Sequence, residues 1–357
     1  MNFQNIKLKT ELSKHMEDLL DDNTVLSYSL IQDHKILVAD TIAKKLETSE
    51  QPIFQACSLS KTLTAMAVLS LVAEGRIHLD QPVNKQLKSW QIEEDANQIT
   101  SRHCLTMTSG LCYGMRNANL SGYPQQAAIP TLQNILKGES PATNLNIKPY
   151  IQPGIDYYYT GAGFMVLQQL IVDSVARPFA DFMNEFMVKT LNMQHSTFAC
   201  PIEDKFRQEA VPGFDKQGKK LNDGWENIPT AASGGLWSTP QDLAQMLLYI
   251  TQSYLGKESN LLPQSLAKDM LSIQKNSRLG LGVALDGTMA SFNFRKNGFN
   301  TGYHNEFMMF PHTGQGIVIM TNTANGMPLI KKAMDYLATQ YAWPKFSMDF
   351  DEINPSV

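Results

Sequence analysis

Strand-forming runs at both ends of the chain constrain its fold more than any other feature. VLSYSLIQ and KILVAD (residues 25–32 and 35–40) are β-rich and separated only by Asp33 and His34, which predicts a hairpin with a short turn. HNEFMMF and GIVIMTN (304–310 and 316–322) flank HTGQ in the same way. Between them, from about 80 to 275, helical patterns dominate, as in PFADFMNEFMVKTL near 178–191 and TPQDLAQMLLYITQSYL from 239, where Thr239 caps and Pro240 takes the first helical position. MPLIKKAMDYLATQYAW closes the chain as an amphipathic helix. The pattern predicts an α/β (α+β) fold: an antiparallel sheet built from both termini and flanked by helices, with a mostly helical region inserted. Residues 1–79 and 275–357 would form the sheet domain and 80–274 the helical one, with a site in the cleft between them.

Composition narrows the function. A chain of 357 residues buries a substantial core, and 43% hydrophobic with 18% charged residues marks it as globular. Lys plus Arg (30) nearly balance Asp plus Glu (34), with no basic stripe, so no nucleic-acid partner is expected. The N-terminus is spaced like an amphipathic helix and lacks a secretory apolar core, which implies a cytoplasmic protein or the mature form of an exported one. AMAVLSLVA (65–73) is far short of the ~20 residues of a membrane span and reads as a core helix. Cys57, Cys104, Cys112 and Cys200 show neither CxxC nor metal-ligand rhythm, and the seven histidines are scattered, so neither disulfide nor metal is expected. His304 is expected to face solvent or pair locally.

Chemistry concentrates in QACSLSKTLTAMAVLSLVAEGR (55–76). If a helix opens near Ser58, Lys61 lies one turn along on the same face and its amine reaches the serine hydroxyl. Serine is a poor nucleophile without a base, and lysine serves as one only where burial or a neighbouring cation lowers its pKa. The N–H groups of the helix start favour a developing oxyanion. SLAK (265–268) and SIQK (272–275) have the same spacing but lack the lead-in and the long apolar helix, and their lysines are expected to be solvated.

Ser58-Leu59-Ser60-Lys61, ITSRHCLTMTSGL (99–111), PGIDYYYTGAGF (153–164), FMVKTLNMQHSTF (186–198), AASGGLWSTPQDLA (231–244) and KNGFNTGYHNEF (296–307) follow one another in the order of landmarks in a known family. Over roughly residues 25–325 the chain resembles the class C β-lactamase-related serine hydrolases, which include penicillin-binding proteins, DD-peptidases, esterases and acyl transferases. The resemblance implies the β-lactamase/transpeptidase-like fold and an acyl-enzyme, with no cofactor. It makes Ser58 the nucleophile and Lys61 its hydrogen-bonded base. Tyr159 takes the tyrosine place of the family's Tyr-x-Asn, and Lys296-Asn297-Gly298 that of Lys-Thr-Gly. Lys61 and Lys296 would hold down the phenol's pKa, Lys296 would attract an anionic substrate group, and Gly298 would let substrate lie close to the strand. The N–H groups of Phe299 and Ser58 would form the oxyanion hole.

The chain departs from that pattern at Gly161, where β-lactamases and DD-peptidases have an asparagine whose amide meets the lysine and the substrate's acylamino group. Loss of such a donor disfavours ligands that rely on it. The resemblance therefore implies an esterase or acyl transferase acting on small esters or amides. A β-lactamase or DD-peptidase, in which another group replaces the amide, is the alternative. A silent binding or scaffold protein is a third reading, opposed by the retention of Ser58, Lys61, Tyr159 and Lys296 together. Of the three consecutive tyrosines, register from the Pro153-Gly154 turn selects Tyr159 to meet Ser58 and leaves Tyr157 as a core aromatic.

Overall fold

The computed structural model describes residues 3–45, 48–93, 96–114, 122–257, 262–275 and 278–347. Its centre is a six-stranded antiparallel sheet. The strands are β1 (Val25–Gln32), β2 (Lys35–Ala43), β3 (Ala284–Asp286), β4 (Asn293–Phe299), β5 (His304–Phe310) and β6 (Gln315–Thr321). Their order is β2-β1-β6-β5-β4-β3, so the N-terminal hairpin pairs directly with the C-terminal one, Tyr28 opposite Ile319. In the first hairpin Asp33 and His34 both take positive φ (52° and 59°), the backbone that a two-residue turn needs to match the twist of its strands. β2 runs past the expected Asp40 to Ala43.

Alternation of side chains divides the sheet's two faces between two cores. Leu26, Tyr28, Leu30, Met308, Phe310, Ile317 and Ile319 pack on α1 (Phe3–His15) and on the C-terminal helix α6 (Met327–Gln340), through Leu8, Leu12, Ile330, Met334 and Leu337. The opposite parity, with Phe294, Phe307, Met309, Val318 and Met320, joins the larger core of the helical region. In that core lies α2 (Ser60–Ala73), buried at every residue from Ser60 to Leu71. A helix buried all round has no solvent face to orient it. Polar pins hold it instead: Thr62 Oγ1 donates to Gly282 O (2.9 Å), Thr64 Oγ1 to Ala232 O (2.9 Å), and Ser60 Oγ accepts from Leu236 N–H (3.1 Å).

Three further helices complete the inner layer: α3 (Ala162–Val175), α4 (Phe179–Leu191) and α5 (Pro240–Leu255). α5 begins as its sequence predicts, with the Thr239 side chain accepting from Asp242 N–H and Pro240 in the first turn. Among the described residues no helix is long and apolar enough to cross a membrane, and no cluster of three metal-ligating side chains occurs.

Candidate active site

Ser58 sits on a single 3-10 turn, Cys57–Leu59, that leads into α2. Cys57 holds φ at 52°, a left-handed value costly for a residue with a Cβ. The surroundings enforce it: Cys57 Sγ donates to Gln55 O, Ser60 Oγ donates to Cys57 O (2.6 Å), and Asn305 Nδ2 on β5 donates to Gln55 O (2.9 Å). The serine turn is thereby tied to the sheet. Cys57 itself is buried, and burial pushes its thiol far up, which makes it a packing residue.

Lys61 Nζ donates to Ser58 Oγ at 3.0 Å and to Ser233 O at 2.6 Å. Burial lowers the lysine's pKa; Tyr159 opposes that shift and Lys296 adds to it. Tyr159 Oη lies 2.7 Å from Ser58 Oγ, so amine and phenol converge on one hydroxyl. Lys296 on β4 and Lys61 stand 4.9 and 5.2 Å from the centroid of the Tyr159 ring. Burial by itself would raise this phenol, but Lys296, then Lys61, and the hydrogen bond with Ser58 outweigh it and bring Tyr159 down to about 7. Tyr157, two residues earlier, packs partly buried against the core and is driven upward by burial.

Gly298 faces the serine turn. A Cβ there would stand 2.8 Å from Ala56 O and 2.9 Å from Ser58 N, so the glycine lets β4 approach the turn itself. Asn300 N–H is given to Tyr303 O (3.0 Å). Antiparallel pairs alternate, so the N–H of Phe299 is directed away from β5. On that side β3 has already stopped, its last pair being Ala284 with Arg295. The Phe299 side chain is exposed and packs on the His304 ring at 5.8 Å.

His304 pairs locally, the second of its two expected places: it is half-buried beside its cross-strand neighbour Phe299, and burial pulls its pKa down to about 4. Lys275 is exposed, as expected of a solvated lysine, and it also donates to Gly154 O at 2.8 Å, which anchors the turn ahead of the tyrosines. Sequence reasoning missed Tyr113 and Ser233. A Cβ at Gly161 would collide with Tyr113 Oη and stand 3.1 Å from Ser233 Oγ, so the space beside the glycine is filled. The signal available was the pairing of a glycine at 161 with a tyrosine just after TSGL.

The fold, with its serine turn, buried lysine and strand-borne lysine, defines the β-lactamase and transpeptidase-like class. The chain belongs to the Beta-lactamase family, whose family model matches residues 21–340. Members of that family are serine hydrolases. A curated relative, Protein flp of Staphylococcus aureus (strain MW2), is 22% identical over 310 residues, 84% of this chain and 58% of that protein. The chain thus spans little more than half of that relative's length. Esterase EstB of Burkholderia gladioli is 28% identical over 184 residues, 50% of this chain and 46% of the esterase. Among solved structures, a class C β-lactamase superposes with a TM-score of 0.72 at 17% identity, covering 95% of this chain and 99% of the other. The octameric penicillin-binding protein homologue from Pyrococcus abyssi gives 0.69 at 19% identity, covering 94% and 77%. These likenesses are of fold.

Proposed function

We propose that the protein is a serine esterase or acyl transferase that works through an acyl-enzyme on Ser58. The observation that carries this reading is the convergence of Lys61 Nζ and Tyr159 Oη on Ser58 Oγ, at 3.0 and 2.7 Å. With Tyr159 protonated, both neighbours donate to that oxygen and its own proton has no acceptor between them. Ionised, Tyr159 becomes the acceptor, and a pKa near 7 makes this form available at neutral pH.

In the reaction Tyr159 takes the serine proton as Ser58 Oγ bonds to the ester carbonyl carbon. The N–H groups of Ser58 and Phe299 would receive the oxyanion. The bond from carbon to the leaving oxygen then breaks, and Tyr159 protonates the departing alcohol. Water, or an acceptor alcohol or amine, enters by the reverse steps and frees Ser58. Lys61 holds the hydroxyl and, with Lys296, stabilises the phenolate.

Support for esters over β-lactams comes from Gly161, which offers no amide, and from the relative named as an esterase. The β-lactamase or DD-peptidase reading is favoured by solved neighbours, among them a β-lactamase/D-alanine carboxypeptidase from Pseudomonas syringae (TM-score 0.72). Intact-mass measurement after exposure to p-nitrophenyl esters, a fluorophosphonate and a set of β-lactams separates the two. Ester or fluorophosphonate adducts on wild type, absent in Ser58→Ala, are expected, together with severe loss of ester turnover in Tyr159→Phe. Nitrocefin turnover matching ester hydrolysis would transfer the assignment to β-lactams. A wild type that none of the probes labels would end the acyl-enzyme reading.

A further inference from the structure

Gly161 is not required by its own backbone. It precedes α3 with φ −77° and ψ −16°, values open to any residue. The demand for glycine comes from Tyr113, whose hydroxyl stands where a side chain at 161 would begin. Tyr113 follows the short strand Leu111–Cys112 and is only 3% exposed, so the phenol cannot swing aside into solvent.

We propose that Tyr113 is a positioning residue of this site: its hydroxyl takes the place of a side chain at 161 and braces Ser233, whose carbonyl holds the Lys61 ammonium against Ser58. The chain of contacts is short. Ser233 Oγ gives its own proton to Thr230 O at 3.1 Å, which leaves its lone pairs to the neighbouring Tyr113 O–H. Ser233 O accepts from Lys61 Nζ at 2.6 Å, and Lys61 Nζ reaches Ser58 Oγ at 3.0 Å. A shift of Ser233 therefore moves the ammonium relative to both Ser58 and Tyr159.

The two phenols have opposite environments. Burial raises Tyr113 and the charge on Tyr159 adds to it, so Tyr113 stays a neutral donor while Tyr159 ionises. Environments that push like groups apart assign them different work. One phenol carries the proton and the other holds the frame.

The inference rests on the acyl-enzyme reading of Ser58, Lys61 and Tyr159, so its tests include two that need no turnover. The first is a stability cycle of wild type, Gly161→Ala, Tyr113→Phe and the double variant by chemical denaturation. Gly161→Ala is expected to be the least stable, because its methyl meets the phenol oxygen, and Tyr113→Phe in the same chain should recover part of that loss. A double variant no more stable than Gly161→Ala overturns the interlock.

The second is a near-ultraviolet tyrosinate titration, with Tyr159→Phe as the reference. Tyr113→Phe keeps the ring but releases Ser233, so Lys61 stabilises the Tyr159 phenolate less and the titration midpoint should move to higher pH. A folded Tyr113→Phe protein with an unmoved midpoint reduces Tyr113 to packing and overturns the positioning role. In kinetics, acylation of Ser58 by p-nitrophenyl acetate should slow about tenfold, in kcat with KM nearly unchanged, as loss of one hydrogen bond would produce. A wild type that is never acylated defeats the reading of Ser58, and the stability cycle and titration still decide Tyr113.

Discussion

Three consecutive tyrosines share a sequence neighbourhood and almost nothing else. Tyr157 leans on the core and its phenol is driven upward, whereas Tyr159 lies between two lysines that bring it to about 7. If the phenolate of Tyr159 accepts the Ser58 proton, kcat/KM should rise with pH through about 7, because the deprotonated phenol is the active form. Lys296 is the largest stabilising influence on that phenolate. A cation at such range lowers an acidic group by ~1–3 units, so Lys296→Ala should move the acidic limb to higher pH by about 1 unit or more. A pH–rate profile of the variant with an unshifted limb would remove Lys296 from this role.

At the scale of elements, the site depends on how closely β4 approaches the turn before α2. Gly298 faces backbone atoms rather than a flexible side-chain tip, so neither partner can yield cheaply. Gly298→Ala should force strand and turn apart, costing about 1–3 kcal/mol as overpacking does. The displacement falls on Ser58 N and the neighbouring Phe299 N–H, so Ser58 acylation should slow about tenfold or more. Stopped-flow acylation beside a denaturation curve checks both. Normal acylation in a destabilised protein would show that the close approach serves packing alone.

Across the whole molecule, the sheet separates the site from a buried carboxyl on its far face. Glu306 shares the parity of Met308 and Phe310 and is fully buried. Neither of its carboxyl oxygens has a hydrogen-bond partner among the described residues. Burial raises its pKa from 4.5 to about 8, against the opposing pull of Arg295 and Lys296. The folded protein therefore binds this proton more tightly than the unfolded chain does. The contribution is fully present below the unfolded value and is lost as pH rises from about 4.5 through about 8. Glu306→Gln keeps the shape without the titration, so its denaturation midpoint should fall less over that range, the two proteins diverging by a few kcal/mol toward pH 8. Parallel curves would mean that Glu306 stays charged when folded.

The sequence by itself determined what short-range chemistry can encode. Strand runs at 25–40 and 304–322, the Asp33-His34 turn, the Thr239-Pro240 helix start and the apolar helix after Ser58 are local patterns, and each appears where its pattern lies. The candidate residues Ser58, Lys61, Tyr159 and Lys296 were legible as ordered segments, and they meet in space. Only the tertiary structure decided which groups surround them. The burial of His304, the Lys275 contact with Gly154 and the meeting of Tyr113 with Gly161 all join segments distant in sequence. Periodicity records which face of an element is apolar, not which distant segment fills the space beside it. At Gly161 the sequence shows a missing side chain, and the fold supplies a phenol from 48 positions earlier, the difference between 113 and 161.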